Sequence, residues 1–143
     1  MSSLPMNTRS TTIPCLAYRD PHAAIRWLCE NFGFEKKAVY EGDDGSVMHA
    51  ELTFGNGMIM LGSVSKDSAY GKLICQPDEI GGRETQTTCL IARDPDEIYR
   101  RASKAGASIL MDIKDNDYGG RGFTCTDLEG HIWSIGSYDP WAT

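Results

Sequence analysis

Apolar positions along the chain change period at regular intervals, and the changes predict alternating strands and helices. Residues 12–18 (Thr-Ile-Pro-Cys-Leu-Ala-Tyr) read as a strand. Asp20 and Pro21 follow. The Asp20 carboxylate can cap a helix, and Pro21 suits the first helical position because its missing N–H has no helical partner. Ile25, Leu28, Cys29 and Phe32 then recur at helical spacing, and Gly33 ends the run. Asp44-Gly45 and Gly55-Asn56-Gly57 predict hairpin turns on either side of a strand at 46–54, with a further strand at 57–62. A second helix is predicted from Asp94 and Pro95. Asp96 and Glu97 favour its positive end, Ile98, Ala102 and Ala105 form the stripe, and Gly106 stops it. Strands are predicted near 107–112, 121–126 and 131–137.

These two series are one series repeated. Cys15-Leu16-x-x-Arg19-Asp20-Pro21 recurs as Cys89-Leu90-x-x-Arg93-Asp94-Pro95, and Arg26 matches Arg100. Leu61-Gly62-Ser63 matches Ile135-Gly136-Ser137. Both ends of the unit carry the same offset of 74 (94 − 20 and 135 − 61), which points to a duplicated module. The predicted organisation is a flexible tail at 1–10, a first module at 11–63, a second at 84–138 and a short tail at 139–143. Between the modules, residues 64–83 contain Gly71, Pro77, Gly81 and Gly82 and read either as a linker or as a lid.

Composition narrows the class. With 143 residues and 41% hydrophobic content the chain can form one ordinary domain or two small halves sharing a core. Its net charge of −6 disfavours binding to a phosphate backbone, so no nucleic-acid partner is expected. No apolar run approaches membrane-spanning length and the first ten residues lack an apolar signal core. The expectation is a cytoplasmic protein without a membrane partner. Cys15, Cys29, Cys75, Cys89 and Cys125 contain no C-x-x-C pair and read as free thiols.

The unit order and several local stretches resemble the vicinal oxygen chelate superfamily (glyoxalase/bleomycin resistance protein/dioxygenase) over roughly residues 11–138. Asp127-Leu128-Glu129-Gly130-His131-Ile132-Trp133-Ser134-Ile135 is similar to the D-P-F-G-H-x-W-S-hydrophobic ending of a glyoxalase-like subgroup, with Leu128 in place of proline and Glu129 in place of phenylalanine. Met48-His49-Ala50-Glu51-Leu52 and Tyr118-Gly119-x-Arg121 resemble further segments of that subgroup. The resemblance implies an α+β fold of two βαβββ modules with curved, mainly antiparallel sheets around a shared cleft or barrel-like pocket. It also implies that the superfamily's metal-ligand positions fall on Ile13, Met60, Thr87 and Ser134. None of these is an imidazole or a carboxylate, so neither a metal nor another cofactor is expected, and metal-dependent lyase or dioxygenase chemistry is disfavoured.

Two function classes remain. One is a binding protein holding a small molecule in a groove lined by Cys15, Met58, Met60, Ile91 and Phe123, with Thr87, Cys89 and Ser134 nearby. The other is a metal-independent lyase or isomerase. Its catalytic pair would be His49 and Glu51, two apart on a strand and therefore on one face, able to move a proton. On that strand Met48, Ala50, Leu52 and Phe54 read as the core face. Cys15, Cys89 and Cys125 either face the cavity or serve as small buried apolar groups. Tyr118 and Arg121, on a Gly-rich loop, either bind a polar or anionic group of the ligand or form a plain turn. Trp133 and His131 share the other face of their strand, His131 as a strand-end stabiliser. A homodimer is expected, because open sheet edges, the 64–83 segment and the aromatic stretch Tyr138–Trp141 are all suited to a partner.

Overall fold

The structure, a computed structural model, describes residues 4–142. The parts of the expected tails at Met1–Ser3 and Thr143 lie outside the described residues. The first module is β1 (Cys15–Tyr18), α1 (Pro21–Phe32), β2 (Glu35–Glu41), β3 (Val47–Phe54) and β4 (Gly57–Ser63). The second is β5 (Thr88–Ile91), α2 (Pro95–Lys104), β6 (Ile109–Asp115), β7 (Arg121–Thr126) and β8 (Ile132–Gly136). Between them run two single 3-10 turns, Gly71–Leu73 and Pro77–Ile80. No helix among the described residues is long and apolar enough to cross a membrane.

Both helices start as their caps dictate. Asp20 Oδ1 accepts the Ala23 N–H at 3.1 Å and Asp94 Oδ1 accepts the Glu97 N–H at 3.3 Å. The two capping residues have nearly the same backbone angles, φ −124° with ψ 81° and 80°. Gly33 closes α1 at φ +89°, a region that favours glycine.

The sheets are two separate four-stranded units, ordered β1-β4-β3-β2 and β5-β8-β7-β6, each with its first strand parallel to its last and the remaining pairs antiparallel. They do not close into a barrel. Strand β2 carries no alternation that marks it in the sequence, since its segment Glu-Lys-Lys-Ala-Val-Tyr-Glu leaves five of seven residues exposed. It is held instead by pairing with β3. Strand β6 begins at Ile109 and runs to Asp115, beyond the expected end, with irregular register against β7.

Each sheet turns one face to a common core. Leu52, Ile59 and Leu61 from the first module and Phe123, Cys125, Trp133 and Ile135 from the second are all buried there, with α1 and α2. Trp133 is the hinge of this packing. Its ring meets Phe32 at 5.3 Å and Phe34 at 5.8 Å, both edge-on, so an aromatic of the second module fills the core of the first.

Below Trp133 lies a buried polar hub. Asp127 Oδ2 accepts the Tyr18 hydroxyl at 2.6 Å and Trp133 Nε1–H at 3.0 Å, while Oδ1 accepts the Glu129 and His131 backbone N–H groups. Glu129 then reaches across and accepts the backbone N–H groups of Arg19 and Asp20 at 2.7 and 2.8 Å. The turn between β7 and β8 therefore binds the strand-to-helix turn of the other module.

Candidate functional site

With one face of each sheet in the core, the other faces are open, and each forms its own groove. In the first module, register places Cys15 beside Met60, Met60 opposite Glu51, and His49 opposite Tyr40. Gly62 lies on the same face, so no side chain obstructs that part of the floor. The resulting groove has a volume of about 450 Å³. His49, Met60 and Cys15 line its floor, and residues of the 64–83 segment, among them Lys66, Tyr70, Lys72 and Gln76, line its wall.

Met48 also lines this groove and is 73% exposed, which corrects its assignment to the core. The register between β2 and β3 shifts between Tyr40 and Glu41: Tyr40 pairs His49 while Glu41 pairs Val47. Met48 is thus left unpaired, and Val47 takes the buried place.

His49 and Glu51 are brought together. His49 Nε2 lies 2.9 Å from Glu51 Oε2, and Lys37 Nζ lies 3.3 Å from Oε1. The Tyr40 ring stacks on the His49 ring at 6.0 Å and 22°. The hydrogen bond from His49, with that from Lys37, holds the Glu51 carboxyl below its ordinary range. Glu51 is therefore ionised at neutral pH and accepts the Nε2 proton, so that Nδ1 is the acceptor in the neutral form of the ring. The pair can orient a base or relay a proton, with the carboxylate as the fixed partner.

The second groove lies on the open face of β5-β8-β7-β6. Cys89, Ser134, Thr124, Met111, Tyr118 and Tyr138 are among the residues lining it. The Ser134 and Thr124 hydroxyls lie 3.1 Å apart, and Tyr118 meets Tyr138 edge-on at 5.1 Å. Met58 and Ile91 line a third recess together with Cys89, between the starts of β4 and β5. The sequence-predicted site residues are therefore dispersed: Met60 lines the first groove and Ser134 the second. Ile13 lies beside the recess at the N-terminal segment, and Thr87 is exposed just before β5.

Phe123 and Arg121 leave the ligand groove, and Cys125 takes the buried one of its two expected roles. Phe123 is 4% exposed and packs edge-on against Tyr99, and Cys125 is fully buried, so both belong to the core. Burial first, and Asp127 second, push the Cys125 thiol up to about 12. Arg121 points the same way. Its guanidinium grips Asp96 in the first turn of α2, with Nε 3.0 Å from Oδ2, and reaches Asp115 at 3.5 Å. It is an internal tie of the module and not a ligand anchor. The cause is a one-residue slip. Glu51 faces Met60 in the first module, but Thr124 faces Ser134 in the second. The offset of 74 that relates β4 to β8 is thus 73 (124 − 51) between β3 and β7. A shift of one residue turns every side chain of a strand to the opposite face. The equivalents of His49 and Glu51 are accordingly Gly122 and Thr124, and the polar pair exists in one module only.

The residues at the positions that the resemblance implies for a metal do not fit a divalent cation. Met60 offers a thioether, Ile13 nothing, and the Ser134 hydroxyl is engaged with Thr124. Among the described residues, no group of three or more His, Cys, Asp or Glu is placed to hold a metal ion. The lid reading of residues 64–83 anticipated the wall of the first groove but singled out none of its residues. Lys66, Tyr70 and Gln76 sit in a segment without period, and its length was the one signal available.

Comparison with known proteins agrees with this architecture. TioX from Micromonospora sp. ML1, a solved structure, is 31% identical, with 89% of this chain and 97% of that chain covered and a TM-score of 0.68. The protein Rv0887c of Mycobacterium tuberculosis H37Rv is 28% identical over 134 residues, 94% of this chain and 78% of that protein. The fosfomycin resistance protein FosX from Mesorhizobium loti shares the fold at 12% identity, with 93% and 95% of the two chains covered and a TM-score of 0.63. The sequence profile of one family matches residues 11–135, which is most of the chain and both modules. By that match, and by its two βαβββ modules, this chain belongs to the Glyoxalase/Bleomycin resistance protein/Dioxygenase superfamily.

Proposed function

We propose that this protein binds a small, partly apolar molecule in the first groove without a metal ion, and that it does so as a homodimer. The observation that carries this reading is the groove itself. Its volume of about 450 Å³ is in the range of small-molecule sites, and methionine and cysteine side chains share its lining with His49 and Gln76. Membership of the superfamily fits binding and catalysis equally, since fold does not determine chemistry. The dimer is supported by the second open face. Met111 and Tyr118 are 66% and 70% exposed there, a surface suited to covering the first groove of a second copy.

Native mass spectrometry of the whole protein against a metabolite library tests the binding. A retained small molecule is expected, and its loss in Met60→Arg, which places a charge on the groove floor, locates it. Binding that survives Met60→Arg unchanged overturns the assignment. Sedimentation at micromolar concentration is expected to give a species of twice the chain mass, and a single species at the monomer mass of 15.8 kDa removes the dimer.

A second reading has its own observation, the 2.9 Å His49–Glu51 contact beside the groove. In it, His49 Nδ1 accepts a proton from the bound molecule while ionised Glu51 steadies the ring. Glu51→Gln would then lower turnover by about 10²-fold or more with little change in ligand affinity. Equal turnover in the variant excludes it.

A further inference from the structure

The most constrained titratable group of the molecule lies outside both grooves. His131 is 8% exposed, at the start of the last strand. Its Nδ1 is 2.6 Å from Glu84 Oε1, and its Nε2 is 2.9 Å from the carbonyl oxygen of Ala17 in β1. Neither a carboxylate nor a carbonyl can donate a hydrogen bond. With Glu84 as an ionised carboxylate, both contacts are made as hydrogen bonds only by a ring that carries protons on both nitrogens, the imidazolium.

The contacts of this cation join three parts of the chain. Glu84, at the end of the inter-module segment, accepts the Ile132 N–H with its other oxygen at 2.9 Å. Gln76, from the same segment and 2% exposed, donates its Nε2–H to the same Ala17 carbonyl at 2.9 Å. Ala17 in turn lines the first groove, as does Gln76. A cavity of about 430 Å³ adjoins the contact, lined by His131, Glu84, Gln76 and Ala17 among others, so water and protons can reach it.

We propose that protonated His131 is a latch that helps hold residues 75–84 against β1, and that loss of its proton loosens this wall of the first groove.

The charges around the ring favour the closed form. Glu84 faces it from the end of the inter-module segment and Asp127 from the turn between β7 and β8, while Glu129 of that turn is committed to the Arg19 and Asp20 N–H groups. Tyr18 of β1 meets it edge-on at 4.9 Å, its hydroxyl committed to Asp127. Arg19, just after β1, is engaged by Asp78 and Glu79, a second tie to the same segment that does not depend on the ring's proton. Burial by itself disfavours the imidazolium, but the Ala17 carbonyl, Asp127 and Glu84 outweigh it and hold the ring's pKa above its ordinary 6.5. Because the folded protein binds this proton more tightly than the unfolded chain, the stabilisation is complete below that ordinary value. It is lost as pH rises through the higher folded value. On deprotonation the remaining proton stays at Nδ1, against the carboxylate. Nε2 then turns a lone pair to the Ala17 carbonyl, and Gln76 alone holds it.

The test uses the full chain without ligand. The imidazole Cε1–H resonance of His131 is followed by NMR from about pH 6 to about pH 9, spanning ordinary and raised imidazole values. Amide exchange of residues 75–86, corrected for the intrinsic rate, is measured across the same range. His131 is expected to be charged at neutral pH, and protection of the segment to fall about tenfold through its titration. In His131→Gln the pH dependence disappears. A ring already neutral near pH 6.5, or protection that stays constant through the titration, overturns the latch. If the variant does not fold, the titration of the unmodified protein decides alone. The consequence for ligand rests on the groove proposed above, but the readout does not. A groove that binds nothing leaves the latch result unchanged, and a latch that fails leaves the binding result unchanged.

Discussion

Asp127 shows how much one buried carboxylate can organise. Four donors converge on it: the Tyr18 hydroxyl, Trp133 Nε1–H and two backbone N–H groups. Tyr18 and Trp133 are fully buried, so neither has water as an alternative partner. Burial first, then the neighbouring Asp127 charge, raises the Tyr18 phenol well above its ordinary range, so Tyr18 remains a donor at all working pH. Asp127→Ala therefore strands two side-chain donors inside the protein. An expected loss of about 2–5 kcal/mol follows, read as a lower denaturation midpoint with unchanged slope. A loss within about 0.5 kcal/mol, the range of ordinary surface changes, contradicts the hub. Asp127 and His131 were legible as part of a resemblance. Their partners Tyr18, Ala17 and Glu84 were not, because those contacts join positions 47 to 114 residues apart.

At the scale of elements, the helices were the most legible part of the fold. An Asp-Pro start and an apolar stripe are local signals that both copies used; α1 closes on Gly33, and α2 closes on Ala105 with Gly106 one residue beyond. Strands β3 and β7 were less legible. Their composition marks them as strands, but which face meets the core depends on hairpin register, and that differs by one residue between copies. The loop between β6 and β7 carries a testable consequence of tight register. Gly120 has φ +71°, and a Cβ there would stand 2.5 Å from the Tyr138 backbone nitrogen. Gly120→Ala is expected to cost about 2–4 kcal/mol, from the left-handed backbone and the backbone clash together. It should also separate Tyr118 from Tyr138, which otherwise meet at the rim of the second groove. Thermal denaturation reads the first effect and tyrosine ring-current shifts the second. An unchanged midpoint would mean that the loop adapts freely.

For the whole molecule, the decisive feature is that the modules share one core. Trp133 sits between Phe32 and Phe34, Glu129 caps the turn at Arg19 and Asp20, and Trp27 Nε1 reaches the Ala105 carbonyl at 3.4 Å. Neither half buries its apolar face alone. Unfolding is expected as a single transition, in which tryptophan fluorescence and far-ultraviolet circular dichroism coincide. Trp133→Ala should lower stability of both halves together by about 3–5 kcal/mol. Two resolved transitions in the unmodified protein would show the modules to be independent.

The sequence by itself determined the duplication, the helices and their caps, and most strands. Each of these depends on residue identity and short-range spacing, which the chain carries directly. Only the tertiary structure decided that Phe123, Cys125 and Arg121 face inward, that Met48 faces the groove, and that the candidate ligand residues divide among separate grooves. Side-chain direction in a strand has a period of two, so one residue of slip in a hairpin, or one bulge, reverses it. No local pattern specifies that slip, because it is settled by how strands pair across the sheet and by what the two modules bury between them.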